Sequence, residues 1–582
     1  MKGLLDSRRV HYLAGLCIFL IAVVLLAGTV GCVELDPACK DLDIRDWYDL
    51  DAVRHNPRGH HRLMNDLDST MAGYEKLAGP TANNGKGWEP IRGRGWPYRV
   101  RLFSGTLDGQ GYEIRDLFVN RPYDVGLFAL VRAGGVIKNI HVLNATLTNG
   151  SHAGGLAIDN SGSVSDANLS PMVGPGPLGY GILVARNDGT VTNCSASGSV
   201  GGDYDVGGLV GRNTGTVTNS YFSGSVSGQG AVGGLVAYNW GAMGNSYVSS
   251  GSVTGEYSVG GLVGASDHGA AVSNSYYNYD EVLINGQNII TTGALFREDF
   301  DEWLANGMFL DVNERLSQED GYYLIDDVDD FRQLLAFGQD GALRLRLQAD
   351  LDLGNDPGLY IPYLAGELDG NGRTISNLNL NLESISRVGL VGLLGPSARV
   401  TQLGLENANV TGSGDVGGLV GDNLGTVRNC CSSGNVTGDS HIGGLVGLNA
   451  GTVNNSYSVA RVMGGSWVGG LVGWNRGTVA HSYSSGHVTG ESIDGGLVGS
   501  DWDTIGNSFW DVQTSGMEES AGGMGKTTAE MMDIATFTDT ESEGLDDPWN
   551  IIAVGGPGER NPSFPWNIVD DETYPFLSWQ AI

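Results

Sequence analysis

Basic side chains are scarce in this sequence: 33 lysines and arginines stand against 66 aspartates and glutamates, a formal charge of −33. A polyanion of this kind is repelled by nucleic acid and by anionic lipid headgroups, so no nucleic acid partner is expected. It is compatible with divalent cations, calcium among them, although plain solubility accounts for such a surface without a specific site. Cysteine is scarce too. The six, Cys17, Cys32, Cys39, Cys194, Cys430 and Cys431, include no CxxC pair and no Cys/His set at zinc-ligand spacing. Neither a disulfide framework nor a zinc site follows from them.

Catalytic signatures are missing as well. No histidine is followed by glutamate, which removes the HExxH motif, and there is no GxSxG nucleophile elbow. His60-His61 has no acidic or cysteine partner at ligand spacing and reads as cap surface. SAGGMGKT, residues 520–527, falls one residue short of a phosphate-binding loop, with Ser520 where the first glycine belongs. DLDLGNDPG carries Asp350, Asp352, Asn355 and Asp356 without the spacing or distant glutamate of a calcium loop; a loop closing a strand explains it. No cofactor is implied.

Glycine is in excess, with 93 residues and no collagen-like triplet period, so recurrent tight turns must account for it. At the N-terminus Lys2, Arg8 and Arg9 precede an apolar run over residues 13–30 that ends at Gly31-Cys32, the form of an export signal. Thr29-Val30-Gly31-Cys32 resembles a bacterial lipobox, departing from it at Thr29, and Cys32 would then carry the lipid. The run is also long enough to span a bilayer uncleaved, so lipoprotein, transmembrane anchor and ordinary signal peptide are all open. Each places the body outside the cytoplasm, at the cell surface or outer envelope. Membrane contact is expected through the N-terminal segment alone.

The strongest signal is a repeat. From Val206 the chain reads VGGLVGRNTGTVTNSYFSGSVSG, and its leucine recurs at Leu156, Leu183, Leu209, Leu235 and Leu262, then at Leu419, Leu445, Leu471 and Leu497. Within each series the step is 26 or 27 residues. VGGLVG, GTVTNSY and GSVSG alternate in the strand manner and are separated by glycine-rich turns. No single circuit can bury its own apolar side, so circuits must stack, each hydrogen-bonding to the next. The expected fold class is all-β: a right-handed parallel β-helix, or β-solenoid, of three short faces per turn, with small mixed α/β caps.

Two asparagine columns support stacking. Asn193, Asn219, Asn245 and Asn274, then Asn429, Asn455 and Asn507, share one repeat position, interrupted by His481. Asn187, Asn213, Asn239, Asn423, Asn449 and Asn475 share another. Stacked amides pass hydrogen bonds from turn to turn, so both columns read as structural ladders. Cys194 and Cys430 stand where other repeats have serine, and Cys431 where they have tyrosine, which makes them substitutions within strands.

GGLVGRNTGTVTNSY, GGLVGLNAGTVNNSY and GGLVGWNRGTVAHSY resemble the GLUG motif of bacterial and archaeal surface proteins. Similar repeats occur in adhesins and beside some immunoglobulin A1-type metallopeptidases, whose HExxH motif is not carried here. The resemblance covers roughly residues 151–277 and 411–510 and implies a surface β-solenoid. Upstream, FSGTLDGQGYEIRDLFV at 103–119 answers to LAGELDGNGRTISNLNL at 364–380, so one module is present twice. The expected division is 1–32 signal or anchor, 33–102 N-terminal cap, 103–277 first solenoid module, 278–363 connector and second cap, 364–510 second module, and 511–582 C-terminal cap. Residues 298–304 and 326–335 are expected to be helical.

A β-helical polysaccharide lyase or hydrolase needs carboxylates on adjacent turns. The position before VGG holds Asp205, Ala231 and Ser258, then Asp415, His441 and Trp467, so no two neighbouring turns bring acids together there. Aromatics are the better lead. The variable position before the second asparagine column holds Arg212, Tyr238, Asp422, Leu448 and Trp474 and is expected to face outward; Trp240, Trp467 and Trp502 lie at comparable turn sites. Trp240, Trp467, Trp474 and Trp502 are therefore the candidate glycan contacts, because aromatic rings stack on the apolar face of a sugar; ordinary turn packing is the alternative. The expected function is non-enzymatic: adhesion or envelope structure, with a surface glycan or protein as partner. A carbohydrate-active enzyme and a calcium-dependent self-assembling coat are the rival readings.

Overall fold

The computed structural model describes residues 40–92, 102–174, 179–267, 270–541, 543–556 and 558–580. Cys32 and the export segment lie outside the described residues.

Alternation within one repeat produces four strands, Val210–Asn213, Thr216–Thr218, Tyr221–Ser227 and Gly230–Gly233. Each pairs in parallel with its counterpart one repeat later, Val210 with Val236, Thr216 with Ala242 and Tyr221 with Tyr247. The chain is a β-solenoid, and in the first module its strands run in three sheets. Leucine side chains fill the axis: Leu156, Leu183, Leu209, Leu235, Leu262, Leu419, Leu445, Leu471 and Leu497 are all fully buried. The second glycine of VGG makes room for interior rings. A Cβ on Gly208 would sit 2.4 Å from the Phe222 ring, and one on Gly496 would sit 2.0 Å from Trp510.

The two asparagine columns do different work. Asn193, Asn219, Asn245, Asn274, Asn429, Asn455 and Asn507 turn a corner in the left-handed region, with φ between 43° and 54°. Asparagine tolerates that region better than other side chains with a Cβ. The column of Asn160, Asn187, Asn213 and Asn239 is buried, and each Nδ2 donates to the next Oδ1 at 2.8 Å. In the second module Asn423 donates to Asn449 at 2.7 Å, Asn449 to Asn475 at 2.8 Å, and Asn475 to Asp501 Oδ1 at 2.7 Å. A carboxylate has no N–H to pass on, so the ladder stops there.

A third ladder, of serines, runs beside them. Ser220 Oγ accepts the Cys194 N–H at 3.1 Å and donates to Thr218 O at 2.7 Å, and Ser246 and Ser275 repeat the acceptor role one turn at a time. Ser456, Ser482 and Ser508 do the same above Cys430. The serine column in the sequence is the signal for it. Burial pushes the thiols of Cys194, Cys430 and Cys431 up to about 12, far from a reactive thiolate.

Both modules open alike. Asp108 Oδ1 accepts the Gln110 N–H and Asp369 Oδ1 the Asn371 N–H, both at 2.9 Å, with Gln110 and Asn371 at φ 54° and 52°. Each is preceded by a short helix with an aspartate N-cap: Trp47–Ala52 behind Asp46, and Val328–Arg332 behind Asp327. The helices Arg297–Ala305, Val328–Arg332 and Leu334–Phe337 lie at the two segments expected to be helical. Trp47–Ala52 is an addition to the expected elements, although Asp46 and Asp49 carry the N-terminal signature.

The modules stack end to end around one apolar core. Tyr276 donates its hydroxyl proton to Ala336 O, Tyr360 to Ile290 O at 3.0 Å, and Gln339 Nε2 donates to Ser275 O at 3.1 Å. Sheet continuity breaks at this joint. Strand Val263–Ser266 ends one six-stranded sheet and Ile361–Leu364 begins the corresponding sheet of the second module, with no pairing between them.

Beyond the last turn the chain first closes the solenoid end. Met524–Lys526 pairs with Phe509–Asp511, and Ser520 Oγ accepts the N–H groups of Leu497 and Val498 at 3.2 and 2.9 Å. SAGGMGKT is thus a lid on exposed backbone. The chain then doubles back along the flank, where Nε1 of Trp549 bonds Asn507 O at 2.8 Å and Nε1 of Trp579 bonds Asn429 O at 3.2 Å. The left-handed asparagine corner is the line on which this return segment docks.

Candidate functional site

Two columns of variable residues meet at the VGGLVG corner. Arg387, Asp415, His441, Trp467 and Ile493 stand two residues before the first glycine of the corner, every one at φ between 51° and 64°. Leu393, Asp422, Leu448, Trp474 and Ser500 stand in register on the adjoining strands. A Cβ on Gly473 would lie 2.5 Å from the His441 carbonyl carbon, so glycine is what lets the corner close and brings the columns side by side.

Side chains of the two columns interlock. His441 lies 4.9 Å from the rings of both Trp467 and Trp474, and its Nδ1 is 2.7 Å from Asp415 Oδ1. Trp474 meets Trp502 edge to face at 5.0 Å, and the Arg476 guanidinium lies 5.0 Å from the Trp474 ring centre. Trp502 is 72% exposed. The Trp474 indole N–H is shielded from water and has no acceptor among the described residues. In the first module Tyr238 and Trp240 stack at 3.8 Å, with Arg212 5.8 Å from the Trp240 ring and ion-paired to Asp205.

Trp467, Trp474 and Trp502 are therefore brought together, while Trp240 belongs to a separate cluster. Two sequence expectations need correction. Asp422 and Leu448 do not face outward: both are buried, because Asp422 pairs with Arg387 at 3.2 Å and Leu448 is in register between Asp422 and Trp474. Trp467 also does not share its turn site with Trp240 and Trp502, since it stands in the left-handed column while they follow the buried ladder position. Arg387 is a site residue that the repeat alone does not flag. Extending the column one turn down to RVGL, residues 387–390, finds it.

Other polar groups are engaged elsewhere. His60 and His61 alternate along strand His60–Leu63, one exposed and one buried, so they cannot share a ligand. Asp350 accepts from Thr374 N at 2.8 Å, Asp352 from Gly354 N at 2.9 Å, and Asp356 pairs with Arg332. Among the described residues no group of three or more His, Cys, Asp or Glu side chains is placed to hold a metal ion. Nor, among them, is any helix long and apolar enough to cross a membrane.

Residues 202–227 match the GLUG motif. The chain carries GLUG repeats. Halomucin of Haloquadratum walsbyi is 47% identical over 64 residues, 11% of this chain and 1% of that protein. A protein described as a Gly-rich membrane protein, from Evansella cellulosilytica, is 31% identical over 127 residues, 21% of this chain and 13% of that one. The chain thus spans a small part of the length of either relative. A crystal structure from Bacteroides ovatus, of a protein assigned as an immunoglobulin A1 protease, covers 93% of both chains at 12% identity and a TM-score of 0.18. Within this chain the GLUG repeats keep the leucine, asparagine and serine columns nearly constant. The aromatic face is built from the positions that change from one GLUG repeat to the next.

Proposed function

We propose that this is a surface-displayed β-solenoid that binds carbohydrate without cleaving it, on the face that carries Trp467, Trp474 and Trp502. The observation that carries the reading is the aromatic tier itself: an exposed ring, a second ring at right angles to it, and a guanidinium beside them. Sugar rings offer an apolar face for stacking and hydroxyls for polar neighbours. Short shared stretches with a halomucin and a membrane protein support placement at the cell surface. The export segment ending in Cys32 supports attachment there through the N-terminus.

The purified protein is tested against a panel of polysaccharides, with each well assayed for new reducing ends and unsaturated sugars. Capture without cleavage is expected, weakened about tenfold by Trp502→Ala, the loss of roughly one stacking contact. Release of sugar ends would replace this reading with a lyase or hydrolase. In the producing cell, Cys32→Ser is expected to move the protein from the membrane fraction to the soluble one. Unchanged fractionation would remove lipid attachment from the account.

A further inference from the structure

The joint between the modules leaves a cavity of about 290 Å³ on the same side of the rod as the aromatic face. Its origin is the interrupted sheet. Among the described residues strand Val263–Ser266 pairs with Val236–Asn239 alone, and Ile361–Leu364 with Val391–Leu394 alone, so each sheet ends at the joint on an unpaired edge, the second carrying Pro362, which has no N–H to offer. The walls come from both modules: Tyr238 and Ala265 from the first, Tyr363, Ser386, Arg387 and Asp415 from the second. Neither module makes this cavity alone.

We infer that this seam is a pocket for a single uncharged saccharide ring. The inference rests on the carbohydrate-binding reading and adds to it a site and a ligand charge. The volume sits at the lower end of small-molecule pockets, enough for one ring and not for a chain. The lining combines aromatic rings, one of which, Tyr238, is held in place by Trp240 at 3.8 Å, with hydroxyls and backbone polar groups that match sugar hydroxyls. Charge decides the class. Arg387 Nε is paired with buried Asp422 at 3.2 Å, while Asp415, whose Oδ1 lies 2.7 Å from His441 Nδ1, puts a carboxylate on the wall. A uronate or sulfated sugar would meet that carboxylate beside a guanidinium already paired with another. The left-handed column rises from Arg387 through Asp415 and His441 to Trp467, one residue per turn. At ~4.8 Å per turn, an oligosaccharide whose end occupies the seam could run along the face to the tryptophans.

The test uses the purified full-length protein and calorimetric titration with glucose, galactose, mannose, N-acetylglucosamine and glucuronate in turn. At least one neutral sugar is expected to bind and glucuronate is not. Ala265→Trp and Ser386→Trp, which fill the cavity from opposite walls, are each expected to weaken monosaccharide binding at least tenfold. Tyr48→Ala, at an exposed ring of the N-terminal cap outside both sites, is expected to leave it unchanged. Binding of none of the neutral sugars, equal binding of glucuronate, or wild-type binding by both filled variants overturns the inference. Melting curves identify a filled variant that has lost its fold, and the neutral-against-uronate contrast in the wild-type protein needs no variant. If the filled variants lose monosaccharides while Trp502→Ala leaves polysaccharide capture intact, the seam stands and the aromatic-face reading falls. With the opposite pattern the aromatic face stands and the seam falls.

Discussion

At the scale of single residues, the asparagine ladder shows how one side chain can matter more than its size suggests. Asn213 accepts from Asn187, donates to Asn239, and is buried throughout. Asn213→Ala removes a donor and an acceptor from a sealed column and leaves neighbouring amide groups unsatisfied. The expected loss is about 1–3 kcal/mol of unfolding free energy, read from denaturant titration. The columns are legible in the sequence because they recur at a fixed step. Their division of labour is not, since the same amide serves a left-handed corner at Asn219 and a buried relay at Asn213. Spacing records position but not φ.

At the scale of elements, the return segment on the flank of the second module carries a pH-sensitive clasp. Burial pushes the Asp511 carboxyl upward, yet hydrogen bonds from the Tyr574 and Thr528 hydroxyls and from the Thr514 and Gln513 N–H groups more than offset it and hold the carboxyl below its ordinary value. A depressed carboxyl contributes stability that is fully present above the unfolded-state value of about 3.9. That stability is lost as the pH falls through this value towards the lower folded-state one. On acidification, tryptophan fluorescence from the flank is expected to change before the far-ultraviolet circular dichroism of the solenoid. Simultaneous loss of both signals would mean that Asp511 holds no separable element. This segment reads from sequence only as a cap, because its contacts join residues far apart and without period, such as Trp579 and Asn429, 150 positions apart. The helix behind Asp46 hides for a different reason: its one-and-a-half turns are too short for periodicity to show.

At the scale of the whole molecule, the repeat makes length adjustable where nothing spans neighbouring turns from outside. Deleting residues 210–235 removes one 26-residue turn from the first module and leaves Asn187 facing Asn239. The shortened protein is expected to fold, with scattering showing a rod shorter by ~5 Å, one strand spacing. Deleting half of that segment should leave no cooperative melting transition, because it puts apolar side chains on the solvent face. The same excision at 446–471 is expected to be much more damaging, since the flanking tryptophans dock at Asn429 and Asn507 on either side of it. Two modules are readable from the chain because the LDG-x-G phrase at 107–111 returns at 368–372 within a similar seventeen-residue stretch. Their end-to-end stacking and the seam between them are not, because Val263–Ser266 reads as one more repeat strand and nothing in its sequence marks it as an edge.

Asp501 gives the rod a direction. Each asparagine hands its N–H to the next turn, and the aspartate takes the last one and returns nothing. A repeat copied into the interior by recombination inherits a donor below and an acceptor above, so the relay runs on unbroken. A repeat copied past Asp501 would start beside a carboxylate that cannot feed it. The second module can therefore be lengthened from within but not from its tip, and a single carboxylate, in place of an amide, works as the full stop of a sentence that may be extended anywhere except after its end.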